Sequence, residues 1–134
     1  MPAKKTAAAT KRTARKSTKP PAIGKPWQGG IYAGLTLSDN KPMHLVLLPG
    51  DDKKPWPDAV KHAAASKALL PSRFDGLLLF KNVPGEFEKA WYWLDEQDAA
   101  NDACAWIQSF AWGSQYGVHK SHEYRVRLVR RFPI

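Results

Sequence analysis

His119 and His122 stand three residues apart with Lys120 between them, a spacing at which two imidazoles could begin a metal site. No third ligand accompanies them, so they read as surface residues in a loop. Glu86 and Glu88 have the separation of a general acid/base pair, but they lie beside Gly85 and Lys89, where solvated charge is the simpler account. Cys104 has no adjacent cation or paired histidine to depress its pKa, and it reads as a small buried hydrophobe. There is no Gly-x-Ser-x-Gly elbow, no Gly-rich phosphate loop and no His-Glu-x-x-His pair. Nothing here reads as a catalytic centre, and no enzyme activity, cofactor or metal is expected. Recognition chemistry is better represented. Trp112 sits between Ala111 and Gly113 at an expected turn, and Tyr116 and Tyr124 bracket a stretch holding His119, Lys120, Ser121 and His122. Aromatics among mixed polar neighbours are ordinary recognition equipment.

Cations form two groups. Lys4, Lys5, Lys11, Arg12, Arg15, Lys16, Lys19 and Lys25 fall within residues 1–25, which contain no acid; residues 26–134 carry thirteen basic against twelve acidic residues. The formal charge of +9 therefore belongs to a tail. Residues 1–25 are nearly all Lys, Arg, Ala, Thr, Ser and Pro, and such a segment buries too little apolar surface to offset its ordering entropy. A disordered basic tail over 1–25 and one folded domain over 26–134 are expected. Thr13-Ala14-Arg15-Lys16-Ser17-Thr18 reads like a histone tail, and spaced cations on a flexible arm release counterions from any polyphosphate. The second group, Arg125, Arg127, Arg130 and Arg131, lies in the last expected strand, with Arg125, Arg127 and Arg131 on one face and Arg130 on the other. This group could grip phosphates or could simply charge the outer face of an edge strand. One cysteine excludes an internal disulfide framework and favours a reducing setting. With no apolar run of about 20 residues and no apolar leader, the expectation is a cytoplasmic protein, or one carried in a phage particle, that makes no membrane contact. Oligomeric state is not legible.

These residues need elements to position them. Residues 29–35 and 43–48 flank the turn formers Ser38-Asp39-Asn40-Lys41-Pro42, which predicts a hairpin. Ala59, Val60, Ala63 and Ala64 recur at helical spacing and predict a helix over 57–67. Ser72 three residues before Asp75 is a capping box, opening a second helix over 72–82 with Phe74, Leu77 and Leu78 as its apolar stripe. The period then changes to two. Trp91 and Trp93 fall in one predicted strand; residues 103–110, 115–118 and 124–129 make three more, antiparallel, with Trp106 and Val126 directed to a common core. Two helices among antiparallel strands make an α+β domain.

In this order, Leu70-Pro71-Ser72-Arg73, Trp91-Tyr92-Trp93, Ala105-Trp106-Ile107-Gln108-Ser109-Phe110, Gly113, Lys120 and Val126-Arg127-Leu128-Val129-Arg130 resemble the C-type-lectin-like domains of phage, prophage and bacterial surface proteins, including the C-terminal domain of collagen-like adhesins. The resemblance covers about residues 29–131. It implies a twisted antiparallel sheet with two flanking helices and paired terminal strands, and a binding surface in the loops at about 95–102 and 112–122. On that surface fall Asp95, Asp98, Asn101, Trp112, Gln115, Tyr116, His119 and His122. Where the family has a Ser-Ser pair this chain has Leu94-Asp95, and Ala100 precedes Asn101-Asp102 where calcium-dependent lectins have Trp, so a solvated loop is expected there. The function so implied is a non-enzymatic binding module for a protein or glycan ligand. The alternative is a nucleic-acid-associated protein that uses the tail and the Arg-rich last strand.

Overall fold

A computed structural model of the chain describes residues 19–134. Of the basic tail, Lys4, Lys5, Lys11, Arg12, Arg15 and Lys16 lie outside the described residues, while Lys19 and Lys25 are exposed. Hydrogen bonding to the domain starts just ahead of residue 26. The N–H of Gly24 already donates to the carbonyl of Tyr32 at 2.8 Å, and that of Tyr32 to the carbonyl of Lys25 at 2.9 Å.

Two sheets carry the domain. The first has four antiparallel strands, β1 (Pro26–Trp27), β2 (Gly30–Ser38), β3 (Lys41–Leu47) and β9 (Val129–Pro133), in the order β1-β2-β3-β9. The β2–β3 hairpin is the expected one, closed by Asp39 and Asn40, both at positive φ (52° and 65°) as a two-residue turn of right-twisting strands requires. The second sheet is ordered β4-β8-β5-β6-β7, from β4 (Asp52–Pro55), β5 (Trp91–Gln97), β6 (Cys104–Ser109), β7 (Gln115–His119) and β8 (Glu123–Val126). Its pairings are antiparallel except for a parallel contact between β5 and β8.

Helix α1 (Trp56–Ala65) begins at Pro55-Trp56-Pro57, with Asp58 in its first turn, and buries Ala59 and Ala63 against Val46, Leu48, Trp93, Ile107 and Val126. Helix α2 (Arg73–Asn82) has the expected capping box: Ser72 Oγ accepts from the N–H of Asp75, and Asp75 accepts from that of Ser72, each at 3.0 Å. Its Leu79 joins Ala33, Leu45, Leu47 and Val129 of the first sheet to Tyr92 of the second and to Phe110 just after β6. This helix is therefore the wedge between the sheets. No helix among the described residues is long and apolar enough to cross a membrane.

Three expectations need correction. Of the expected α2 stripe, Phe74 and Leu77 are exposed and only Leu78 packs against the core; the buried face is Asp75, Gly76 and Leu79. The buried Asp75 carboxylate is sustained by the Thr36 hydroxyl and by Arg131 Nη2 at 2.5 Å. The single strand over 124–129 is two: the chain leaves the second sheet at Val126 and enters the first at Val129, while the carbonyl of Leu128 accepts from the N–H of Leu48. That switch breaks the alternation assumed for the arginines. Finally, Val126 is in the core as expected, whereas Trp106 stands on the opposite face of β6 from buried Ala105 and Ile107, half-buried with the Arg73 guanidinium 3.6 Å above its ring.

Candidate functional site

The β6–β7 hairpin presents the most exposed aromatic chemistry. After Ser109 the backbone is tightly tied: Ser109 Oγ accepts from the N–H groups of Ala111 and Trp112 at 3.1 and 3.0 Å, and the N–H of Gly113 donates to the carbonyl of Ser109 at 2.8 Å. Gly113 has φ of 84°, and a Cβ there would lie 2.8 Å from Phe80, so the turn has no room for a larger residue. This geometry leaves Trp112 83% exposed. Four residues on, Tyr116 is 57% exposed and its ring lies 5.6 Å from that of the half-buried Trp91. The result is an exposed aromatic platform on ordered backbone.

The remaining expected residues do not converge on that platform. Asp98 reaches over Gly117 in the middle of β7, on the face opposite Tyr116, where a Cβ would lie 2.7 Å from its Oδ2; Asn101, His119 and His122 lie at the far end of the hairpin, around the start of β6 and the end of β7, about 15 Å from the turn. There the two expected loops do meet each other. The N–H of Lys120 donates to the carbonyl of Ala103 at 3.0 Å, and its Nζ to Gln97 Oε1 at 2.5 Å. Much of their polar capacity is already used locally. Asp98 Oδ1 accepts from the N–H of Ala100 and Asn101 Oδ1 from that of Ala103. His119 Nδ1 lies 2.8 Å from Ser121 Oγ and accepts from the Ser121 N–H; its ring is 6.5 Å from that of His122. Among the described residues no group of three or more His, Cys, Asp or Glu side chains could hold a metal ion. Asp95 belongs to the exposed residues, yet partial desolvation raises its carboxyl pKa against the pull of Arg131.

Gln115 has a different place altogether. Its Nε2 donates to the Arg73 carbonyl at 2.9 Å and to Gln108 Oε1 at 2.7 Å, its Oε1 accepts from Arg73 Nε, and Gln108 Nε2 reaches the Gly76 carbonyl. This relay fixes α2 to the sheet. The four arginines also have intramolecular partners. Arg125 pairs with Asp51 at 3.0 Å, Arg131 pairs with Asp75, Arg130 donates to the carbonyls of Ser66 and Lys67 at the end of α1, and Arg127 donates to those of Glu86 and Leu48.

Two adjacent clefts escape any reading of the sequence. The larger, of about 560 Å³, opens between residues 49–52, the end of α1 and the β8–β9 switch; Asp51, Asp52, His62 and Arg130 line it. Its charges are largely matched: Lys54 lies 3.0 Å from Asp52, and the hydrogen bond between them is the first cause of a lowered Asp52 pKa. The smaller cleft, of about 430 Å³, is more apolar and includes Arg127 in its wall. No signal in the sequence marks either one, because their walls come from segments distant along the chain. A scan against protein-family models finds no match for this chain, and a search of curated proteins finds none either.

Proposed function

We propose that the protein is a non-enzymatic binding module, lectin-like in build and phage or prophage encoded, that offers the Trp112–Tyr116 side of its β6–β7 hairpin to a protein or glycan ligand. One observation carries this reading: an indole left 83% exposed on a turn whose backbone is closed by three hydrogen bonds and a packed glycine. An exposed aromatic on an ordered turn loses little backbone freedom on binding and supplies a large apolar contact, the character of an interface hot spot. Two helices, curled antiparallel sheets and first and last strands in one sheet are compatible with the lectin-like resemblance. The nucleic-acid alternative rests on the tail, since Arg125, Arg127, Arg130 and Arg131 are engaged within the domain.

The test is a binding comparison, with cell-surface glycans, host-lysate proteins and duplex DNA as ligands. Three proteins are measured: the full chain, the chain lacking residues 1–18, and the double variant Trp112→Ala/Tyr116→Ala. The hairpin reading expects the double variant to lose about 2 kcal/mol or more on a glycan or protein ligand while the deletion leaves binding intact. Tight DNA binding that disappears only with the deletion would overturn it. If all eight cations of residues 1–25 reached phosphates, log affinity would fall against log salt with a slope near about −7.

A further inference from the structure

Arg127 is 8% exposed, yet no carboxylate among the described residues pairs with it. Its guanidinium donates to two backbone carbonyls, Glu86 and Leu48, and lies 5.1 Å from the Phe87 ring. A guanidinium has five N–H donors, so most of its donor capacity is left over, and Nε is buried with no partner at all. Carbonyl dipoles and a ring face solvate a cation but do not neutralise it, and a buried charge without a counter-charge is costly. The same side chain forms part of the wall of the smaller cleft, whose other sides are chiefly Trp27, Ile31, Leu47 and Pro49. Glu86 stands at the rim, exposed and too far from Arg127 to form an ion pair.

We propose that this cleft is a binding site for a small monocarboxylate with a compact apolar body, of the size of benzoate or hexanoate. The apolar walls take the body, and Arg127 supplies the charge and the spare N–H donors for the carboxylate, an arrangement typical of small-molecule sites: mostly apolar lining with one convergent charged group. A volume of about 430 Å³ falls within the range of such sites. The site is distinct from the hairpin platform, so its fate does not depend on that reading.

Calorimetry and thermal unfolding of the full chain test it with benzoate, hexanoate, acetate and neutral benzamide against matched sodium chloride. Benzoate or hexanoate should bind with Kd of about 1 mM or tighter and raise the melting temperature in proportion to log concentration, whereas acetate and benzamide should do neither. Arg127→Met should weaken benzoate about thirtyfold or more. Because Arg127 also serves two carbonyls, its removal could unfold the protein; Glu86→Gln leaves those carbonyls in place and should tighten benzoate two- to threefold, about what loss of one exposed like charge is worth. No binding of either carboxylate to the wild-type chain, or equal binding of benzamide, would make Arg127 a purely structural cation and overturn the proposal. So would a Glu86→Gln variant that binds benzoate more weakly.

Discussion

Tryptophans of one sheet have opposite duties according to which face of the strand they occupy. Trp93 is fully buried, and its indole N–H donates to the Lys54 carbonyl at 2.8 Å; Trp106 is half-buried beneath Arg73. Trp93→Ala should therefore cost about 3–5 kcal/mol, the range of a buried aromatic, while Trp106→Ala should cost about 1–2, mainly lost area and a partly exposed cation–π contact. Urea unfolding of the two variants checks the order, and equal costs would contradict the assigned faces. Asp75 is the polar counterpart. It has no exposed surface and holds Thr36, the α2 cap and Arg131 at once, so Asp75→Ala strands a nearly buried cation and should cost about 3–5 kcal/mol. Trp112 and Tyr116 were legible as exposed because a turn glycine and a short hairpin fix their side of the chain. Gln115, in the same hairpin, was not: its partners Arg73 and Gln108 are brought to it only by the fold.

Elements were legible where the signal is local. The Asp39-Asn40 turn and the Ser72–Asp75 capping box name their own structures, and both form where expected. The face of α2 was not, because its hydrophobic residues misdirect. Phe74 and Leu77 look like a core stripe, but the second sheet approaches this helix closely along Gly76, where a Cβ would lie 2.6 Å from Gln108 Oε1 and 3.0 Å from Leu94. Close approach of a helix to a strand requires a small residue, and the bulky ones are left outside. Gly76→Ala, which by helix propensity should gain about 1 kcal/mol, should instead destabilise by about 1–3 kcal/mol through overpacking. Leu77→Lys, on the exposed face, should change stability by less than about 0.5 kcal/mol. Thermal melts of this pair decide which face is inward. The break between β8 and β9 was hidden for a related reason: Tyr124, Val126 and Leu128 alternate without interruption, although the buried Arg127 marks where the chain changes sheets. Strand β4, Asp52–Pro55, has no apolar residue beyond its proline and gives no alternation to read.

At the scale of the whole molecule, α2 joins the two sheets, and a polar knot at the Tyr92 hydroxyl ties the loop after β3 to the second sheet. Tyr92 donates to Asp51 Oδ2 at 2.6 Å and accepts from the Glu88 N–H, while Asp51 Oδ1 takes Arg125 at 3.0 Å, so the loop after β3, the start of β5 and strand β8 share one network. Burial, with the Asp51 carboxylate adding to it, pushes the Tyr92 pKa from 10.0 up to about 12. The sign of the stability change follows. Between pH 10 and 12 an unfolded Tyr92 has released its proton and the folded one has kept it, so the unfolded state binds fewer protons and stability falls as pH rises. The slope is about 1.4 kcal/mol per pH unit from this group, with the contribution fully present below pH 10 and gone above about 12. Tyr32, raised in the same direction by burial, adds to the loss. Tyr92→Phe should be less stable at neutral pH, having lost the hydroxyl that ties the loop after β3 to β5, and its stability should fall less steeply from pH 10 to 12. Urea midpoints measured across that window for both proteins check this: parallel curves would mean that Tyr92 ionises alike in the folded and unfolded states, and that neither burial nor Asp51 holds its proton.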